Sequence, residues 1–558
     1  MKKILKEYWL LIIIVILAFV LRVYKLDKYP VGLTWDEPAL AYNAYSILKT
    51  GKDEYGVALP MTFKSFGDYK PGFYIYTAIP SVAIFGLNTF AIRFPSALAG
   101  VGSVIGIFFL TKMIFSQRKK FSSVPYISSF LLAVSPWNIQ YSRGAWELNL
   151  ALFLIILAVI FFLKALERDF VRWSILAFIF FTFAFDTYHG AKVFLVPFLA
   201  GSMVIMKSKI VKLPPKNKIL SLLLVILLLF PLFSSFKGSS NRAKTTSIFS
   251  YTRQEKTVEE IKDQENANPQ LNFLIYHSEI LNTVRTILER YFNHFSGKFL
   301  FFEGDWQSPR QSTPYMGMLY LVEIPFLFIG LGYLLATKKE DKENLIVWWL
   351  ISAPIPAAVT RDIVHAGRSS WMVVPLVIII ASGIWAAALF VKEKLPKLFN
   401  WFLLFVILGY FYCFILYLDL YYKHFPLLNS AGWNYGLEEV MNYLSENKDK
   451  YQKIIFTQKY GQPYIFYLFY TKYPPNIYQT KAKLTENPYG DVGTVDKLDN
   501  IEFRNSFWPT DRNCHNCLIV DDEIGLPEKY ITDTPGARII KDVKFLDGRI
   551  AYRLVEIK

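Results

Sequence analysis

The chain has 558 residues, 53% of them hydrophobic and 17% aromatic, with a formal net charge of +16 and three cysteines. In a water-soluble chain that charge points to nucleic acid, but here Lys and Arg gather in short links between apolar runs long enough to cross a bilayer. They read as topology signals and exclude a nucleic-acid partner. Cys413 lies in an apolar run and Cys514-His515-Asn516-Cys517 offers too few ligands for a zinc site, so the last two cysteines are either a local disulfide or free thiols.

The first apolar run, Tyr8 to Tyr24, follows Met1-Lys2-Lys3 and lacks the small residues of a cleavage site, so it reads as a retained span. Beyond Thr34-Trp35-Asp36-Glu37-Pro38, the spacing of Leu40, Ala44, Ile47 and Leu48 predicts a helix resting on the bilayer surface. Pro71 to Leu87 is apolar and aromatic but interrupted by Pro80. Further spans are predicted at roughly 94–115, 124–140, 148–164, 173–187, 191–206, 218–236, 316–336, 344–359, 371–391 and 400–422, about eleven in all.

Charge placement orients these spans. With 71–87 lying in the interface, Lys112 with Arg118-Lys119-Lys120, Lys164 with Arg168 and Arg172, Lys207 to Lys218, Lys338 to Lys342 and Lys392 to Lys397 share the side of Lys2 and Lys3. With 71–87 spanning, every one of those clusters falls on the opposite side. The first arrangement makes the N-terminus cytoplasmic and the plasma (cytoplasmic) membrane the expected location. Loops 25–93, 141–147, 186–192, 237–315 and 360–370 and the tail are then extracytoplasmic. In the long loop 237–315, Leu281, Val284, Leu288, Tyr291, Phe292 and Phe295 mark a second interfacial helix. In the tail, Leu437, Val440, Met441 and Leu444 suit a helix, and Lys453 to Thr457, Cys517 to Val520, Arg538 to Phe545 and Ile550 to Ile557 suit strands. The fold class is a polytopic α-helical membrane protein over 1–422 with extracytoplasmic interfacial helices, followed by a small α/β domain at 423–558.

Ionisable residues collect on the extracytoplasmic face. Asp36 and Glu37 suit proton transfer from an acceptor hydroxyl, or else they cap a helix, with Glu37 before Pro38 or paired with Thr34 in a capping box. Lys70, before Pro71, either neutralises a phosphate or snorkels at a helix start. Arg93 opens the second span where a cation runs against the charge bias, and so calls for a carboxylate or phosphate partner. Arg143 and Glu147 either pair with each other or divide the work, Glu147 positioning a cation or the acceptor and Arg143 facing the donor. Tyr188, His189 and Lys192 in one turn, and His365 with Arg368 in another, line a phosphate site or anchor their spans. Asp305 and Arg310 bind an acceptor or solvate a turn. No Gly-rich phosphate loop, zincin motif or Gly-x-Ser-x-Gly elbow is present.

Trp35-Asp36-Glu37, Lys70-Pro71, Phe90-Ala91-Ile92-Arg93-Phe94-Pro95-Ser96-Ala97-Leu98 and Ser135-Pro136 leading to Tyr141-Ser142-Arg143 have a distinctive order and sidedness. In these the chain resembles the protein O-mannosyltransferase and aminoarabinose-transferase superfamily of GT-C glycosyltransferases, best over about residues 1–210. The resemblance implies a GT-C fold, a sugar on polyprenyl phosphate as donor, and transfer with inversion to an acceptor hydroxyl on a lipid, glycan or protein. It implies Asp36 as the catalytic carboxylate with Glu37 beside it, Lys70 as a phosphate-binding lysine and Arg93 as the arginine that supports the carboxylates. Donor phosphate is expected among Lys70, Arg93, Arg143, His365 and Arg368. Glu147 and Asn149 stand where many relatives carry an Asp, and Lys70-Pro71 is followed by Gly72 rather than a second proline. Phosphate is a stable leaving group, so no cofactor is required. Asp36, Glu37 and Glu147 can in principle hold a divalent metal, but none is predicted. A lipid or glycan transporter or flippase would place ionisable groups near the midplane, whereas here the spans are apolar and the charges peripheral. A non-catalytic glycan-binding scaffold would leave those charges without a task.

Overall fold

The computed structural model describes residues 2–66, 68–237, 247–250, 253–264, 269–337, 340–485 and 493–558. Lys338 of one basic link and residues 238–246 of the long loop lie outside them. In chain order the first half contains α1 (Lys2–Val23), α2 (Asp36–Thr50), the hairpin β1 (Thr62–Ser65) and β2 (Asp68–Pro71), α3 (Phe73–Phe85), α4 (Thr89–Ile114), α5 (Val124–Val134), α6 (Pro136–Ser142), α7 (Glu147–Ala165), α8 (Phe170–Phe185) and α9 (His189–Ile205). Helices Pro215–Lys237, Ile324–Ala336, Asp341–Ser352, Val373–Lys394 and Phe399–Asp419 fall on the remaining apolar runs.

This is an integral membrane protein. Among the described residues, four helices are long and apolar enough to cross a membrane by length and composition: Thr89–Ile114, Glu147–Ala165, Ser370–Lys394 and Pro396–Asn429. Phe170–Phe185, His189–Ile205 and Leu321–Ala336 are shorter apolar helices. Helix α3 has 13 residues, about 20 Å of rise against a hydrocarbon core of about 30 Å, so it is too short to span.

The structure corrects the sequence reading at two places. The run 124–140 is not one helix: it breaks at Ser135, between α5 and α6. Pro136 has no N–H, which leaves the Leu132 carbonyl without its helical donor. The Arg22 guanidinium fills that gap, donating to Leu132 O at 3.1 Å and to Ala133 O at 3.0 Å. Helix α2 does not have the open apolar face expected of a helix resting on a surface. Leu40, Ala44 and Ile47 are buried, and the helix packs against α3 and against the helix Pro463–Tyr470 of the C-terminal part. The Tyr42 hydroxyl donates to Tyr473 O at 3.0 Å across that contact. By contrast, the helix Glu279–Asn293 of the long loop leaves Leu281, Val284, Leu288 and Phe292 exposed along one side, as an interfacial helix should.

Residues beyond the last membrane helix form a six-stranded mixed sheet from β3 (Lys453–Phe456), β4 (Lys497–Leu498), β5 (Ile501–Phe503), β6 (Cys517–Asp521), β7 (Ala537–Lys544) and β8 (Ile550–Ile557), in the order β4-β5-β3-β6-β8-β7. β3 runs parallel to β5 and β6, and β8 returns antiparallel between β6 and β7. Cys514 and Cys517 are disulfide-bonded. The helices flanking this sheet bring it down on α2, and one apolar core runs from the membrane helices into this layer.

Candidate active site

The first turn of α2 is Asp36-Glu37-Pro38. Acidic side chains there meet the positive end of the helix dipole, and Pro38 is tolerated because first-turn N–H groups have no helical acceptor. Successive residues on a helix point about 100° apart, so the two carboxylates meet different partners.

Glu37 turns inward and is buried. Its Oε1 accepts from Arg93 Nε at 2.8 Å and from the Ala145 N–H at 3.0 Å; its Oε2 accepts from Arg93 Nη2 at 3.1 Å and from the Thr34 N–H at 3.1 Å. Arg93, equally buried, spends its other donors on the carbonyls of Leu26 at 3.1 Å, Pro30 at 2.9 Å and Gly32 at 2.6 Å. The pair therefore pins the loop 26–34, the start of α2, the start of α4 and the turn before α7 to one another. Both members are fully occupied, so Glu37 is not placed to act as a base and Arg93 is not placed to touch a phosphate.

Asp36 points the other way and its side chain is 39% exposed. It pairs with Lys70, whose side chain is only 7% exposed and whose ammonium lies 5.3 Å from the centre of the Phe66 ring. The hairpin sets this position: Lys70 on β2 pairs with Phe63 on β1. His189 meets the same hairpin, its Nε2 3.0 Å from Tyr69 O, and the Phe73 N–H donates to Asp186 O at 3.3 Å. The turn before α9 and its first residue, His189, thus border the hairpin that carries Lys70, with Tyr188 in that turn and Lys192 in the first turn of α9. Lys192 lies 5.1 Å from the centre of the Phe185 ring. Glu147, at the start of α7, lies within electrostatic range of Tyr74 together with Glu37 and Arg93.

Other candidate cations have different tasks. Arg143 is buried, and its Nη1 donates to Leu21 O at 2.8 Å while Nη2 reaches Tyr24 O at 2.8 Å, Tyr29 O at 3.2 Å and Lys25 O at 3.3 Å. Its Nε takes the Tyr421 hydroxyl at 3.1 Å. These carbonyls lie at and just beyond the C-terminus of α1, where backbone acceptors lack helical donors, so Arg143 fastens α1 rather than facing a donor phosphate. His365 is held well below its ordinary pKa, first by burial and then by Arg368, His294 and Arg310 nearby, and a neutral imidazole adds no charge to a phosphate site. The Arg368 Nη1 is committed to Asp362 and to Thr360 Oγ1 at 2.9 Å. Asp305 does not solvate a turn: it is buried, with Oδ2 accepting the Ala366 N–H at 2.7 Å and Oδ1 the Ser308 N–H at 2.9 Å, and burial raises its pKa to about 6. It joins the long loop to the turn 360–370.

Arg310 borders a cleft of about 490 Å³ between the membrane part and the C-terminal sheet, lined also by Trp35, Asn434, Gln458, Tyr460 and Gln462. Gly461, at φ +113°, lies directly on the Trp35 ring, where any Cβ would collide. Trp35, in this lining, is the residue before Asp36 in the chain. Among the described residues no group of three or more His, Cys, Asp and Glu side chains is placed to hold a metal.

The sequence reading passed over Glu54, although Asp53-Glu54 is a second acidic pair in the same external loop. Glu54 is buried beside Lys70. The Asn43 amide donates to its Oε1 at 3.1 Å, and its Oε2 has no partner. Burial pushes this carboxyl from 4.5 up to about 8, against the opposing pull of Asn43 and Lys70. The folded protein keeps the proton to higher pH than the unfolded chain. The stability that Glu54 contributes is therefore complete below about 4.5 and is lost as pH rises through about 8. Melting temperatures of wild type and Glu54→Gln should diverge in favour of the variant between about pH 5 and about pH 9, and a constant difference across that window would contradict this assignment.

Residues 70–234 match the family model for dolichyl-phosphate-mannose-protein mannosyltransferase. The chain is 30% identical over 138 residues to the putative mannosyltransferase YkcB of Bacillus subtilis (strain 168); the matched stretch is 24% of this chain and 19% of that protein's length. Among solved structures, ArnT from Cupriavidus metallidurans bound to undecaprenyl phosphate superposes with a TM-score of 0.57 at 11% identity, covering 98% of each chain. The oligosaccharyltransferase of Archaeoglobus fulgidus tethered with an acceptor peptide does so with a TM-score of 0.53 at 15% identity, over 93% of this chain and 70% of that one. At these identities the superpositions show a shared fold, and the chain matches about a fifth of the length of the curated relative.

Proposed function

We propose that this protein is a glycosyltransferase that moves a sugar from a polyprenyl-phosphate donor to an acceptor hydroxyl at the face bearing Asp36, with inversion at the anomeric carbon. The observation that carries the reading is the division of labour in one helical turn: an exposed Asp36 paired with Lys70, beside a buried Glu37 locked by Arg93. Asp36 accepts the acceptor's proton as its oxygen attacks the anomeric carbon. The bond from that carbon to the phosphate oxygen breaks on the opposite side, and the polyprenyl phosphate leaves with the electron pair. Phosphate needs no general acid to leave, unlike the alkoxide of glycoside hydrolysis. Lys70 supplies positive charge where the phosphate docks, and Glu37 is a positioning residue.

The undecaprenyl phosphate bound by ArnT supports the donor class. The charge bias of the links supports an extracytoplasmic position for this face. We assign the acceptor to the cleft beside Trp35, whose aromatic and amide lining suits a polar chain such as a glycan or peptide. Purified protein in detergent, offered a panel of radiolabelled polyprenyl-phosphate sugars, should turn over at least one of them; no turnover from any would defeat the reading. Lys70→Ala should raise the KM for donor by about 10- to 100-fold, the worth of one hydrogen bond to a charged group. An unchanged KM would remove Lys70 from the phosphate site.

A further inference from the structure

At the end of α4 remote from Arg93 lies a groove that the transfer reaction does not use. Gly102 and Gly106 stand one turn apart on α4. A Cβ at Gly102 would meet the Phe153 ring at 2.6 Å, and one at Gly106 would meet Ile156 at 2.7 Å, so the two glycines let α4 close on α7. Beside this contact opens a cavity of about 560 Å³ walled by Ile105, Phe109, Phe153 and Leu157, with Lys112, Lys164 and Lys342 at its mouth. Ile105 and Phe109 are 36% and 40% exposed on a helix able to cross the membrane, so this wall faces lipid.

The dimensions select the occupant. From Gly102 to Lys112 the helix rises about 15 Å, half of the roughly 30 Å hydrocarbon core, so the groove covers one leaflet. From Arg93 to Lys112 it rises about 28 Å, which separates this mouth from Asp36 by nearly the whole bilayer. The mouth is built for an anion. Lys342, only 5% exposed, donates to Met113 O at 3.0 Å and Ser116 Oγ at 3.3 Å and pairs with the Glu167 carboxylate. Lys164 lies 4.7 Å from the centre of the Trp173 ring, and Lys112 donates to the Tyr8 hydroxyl at 3.3 Å and faces Glu7 at 3.8 Å. Among the described residues of the lining Glu167 is the one carboxylate, and Glu7 faces Lys112 from outside it. A second cavity on the other side of Lys112 is bordered by Arg118 and Lys119.

We propose that this groove binds an anionic phospholipid of the lysine-rich leaflet, with its phosphate at Lys112 and Lys164, an acyl chain along Gly102 to Phe109, and Lys342 bracing the mouth through Met113, Ser116 and Glu167. Basic mouths between membrane helices on the cytoplasmic side suit such headgroups, and a free phosphate would leave the apolar wall without a partner. The proposal stands apart from the transfer reaction.

The test is native mass spectrometry of the full-length protein in detergent, titrated with phosphatidylglycerol or phosphatidylcholine. Phosphatidylglycerol should be retained about tenfold or more over phosphatidylcholine, and Lys112→Ser/Lys164→Ser should bring that preference below about threefold. Ile105→Trp, which fills the groove and leaves the lysines alone, should weaken phosphatidylglycerol retention without altering the melting temperature; it decides the matter if the double variant does not fold. Equal retention of both lipids, retention unaffected by either variant, or full displacement by soluble glycerol phosphate would overturn the proposal.

Discussion

Asp36→Asn is expected to cut sugar transfer by about 10²- to 10⁴-fold, the usual worth of a positioned general base, while the protein stays folded in the membrane. Asparagine keeps the shape of the side chain and its place in the first turn of α2, but its amide cannot take the acceptor's proton. The structural cost is small because the carboxylate is 39% exposed. Lys70 is buried, so water screens the pair only from the Asp36 side, but the amide oxygen of the variant still accepts from the Lys70 ammonium and leaves it a hydrogen-bond partner. The measurement is the initial rate with saturating donor beside the melting temperature. A rate within about threefold of wild type would remove Asp36 from the chemistry, and a large fall in melting temperature would mean that its role is structural.

The neighbouring residue should behave in the opposite way. Glu37→Leu or Arg93→Met is expected to destabilise the protein by about 3–5 kcal/mol, because each leaves the other's charge buried without its partner. For Arg93→Met the loss extends to the carbonyls of Leu26, Pro30 and Gly32, and for Glu37→Leu to the N–H groups of Thr34 and Ala145. The double variant should lose less than the two single losses added together, with an interaction energy of about 0.5–3 kcal/mol. Chemical unfolding in detergent micelles measures all three. Additive losses would show that the pair is not the joint described here. Activity would fall in either single variant as well, since the loop that carries Asp36 is held by this pair, but that loss should follow the loss of fold.

How much of this was legible beforehand can be judged residue by residue. Arg93 was identifiable as a residue in need of an anion, because a cation on that side contradicts the charge bias of the links. That its partner is Glu37 rather than a phosphate was not identifiable, since the two are 56 positions apart. Asp36 and Glu37 are adjacent and chemically alike, and nothing local divides their roles. Arg143 follows the same lesson: its place at a helix end suggested a ligand, but the chain folds the orphan carbonyls of α1 onto it.

Local pattern determined what local physics controls. Apolar runs of bilayer length, basic links and the strand-forming stretches of the C-terminal part follow from hydrophobic burial and backbone hydrogen bonding within a few residues, whereas the charge bias of the whole chain is what puts the Pro71–Leu87 segment in the interface. Only the tertiary structure decided which carboxylate is buried and which is exposed. It also decided that α2 is covered by helices of the C-terminal part, and that Glu54, unremarked in the sequence, sits beside Lys70. Each of those outcomes is a long-range pairing, set by which distant donor reaches a buried acceptor, and no periodicity within the chain records it.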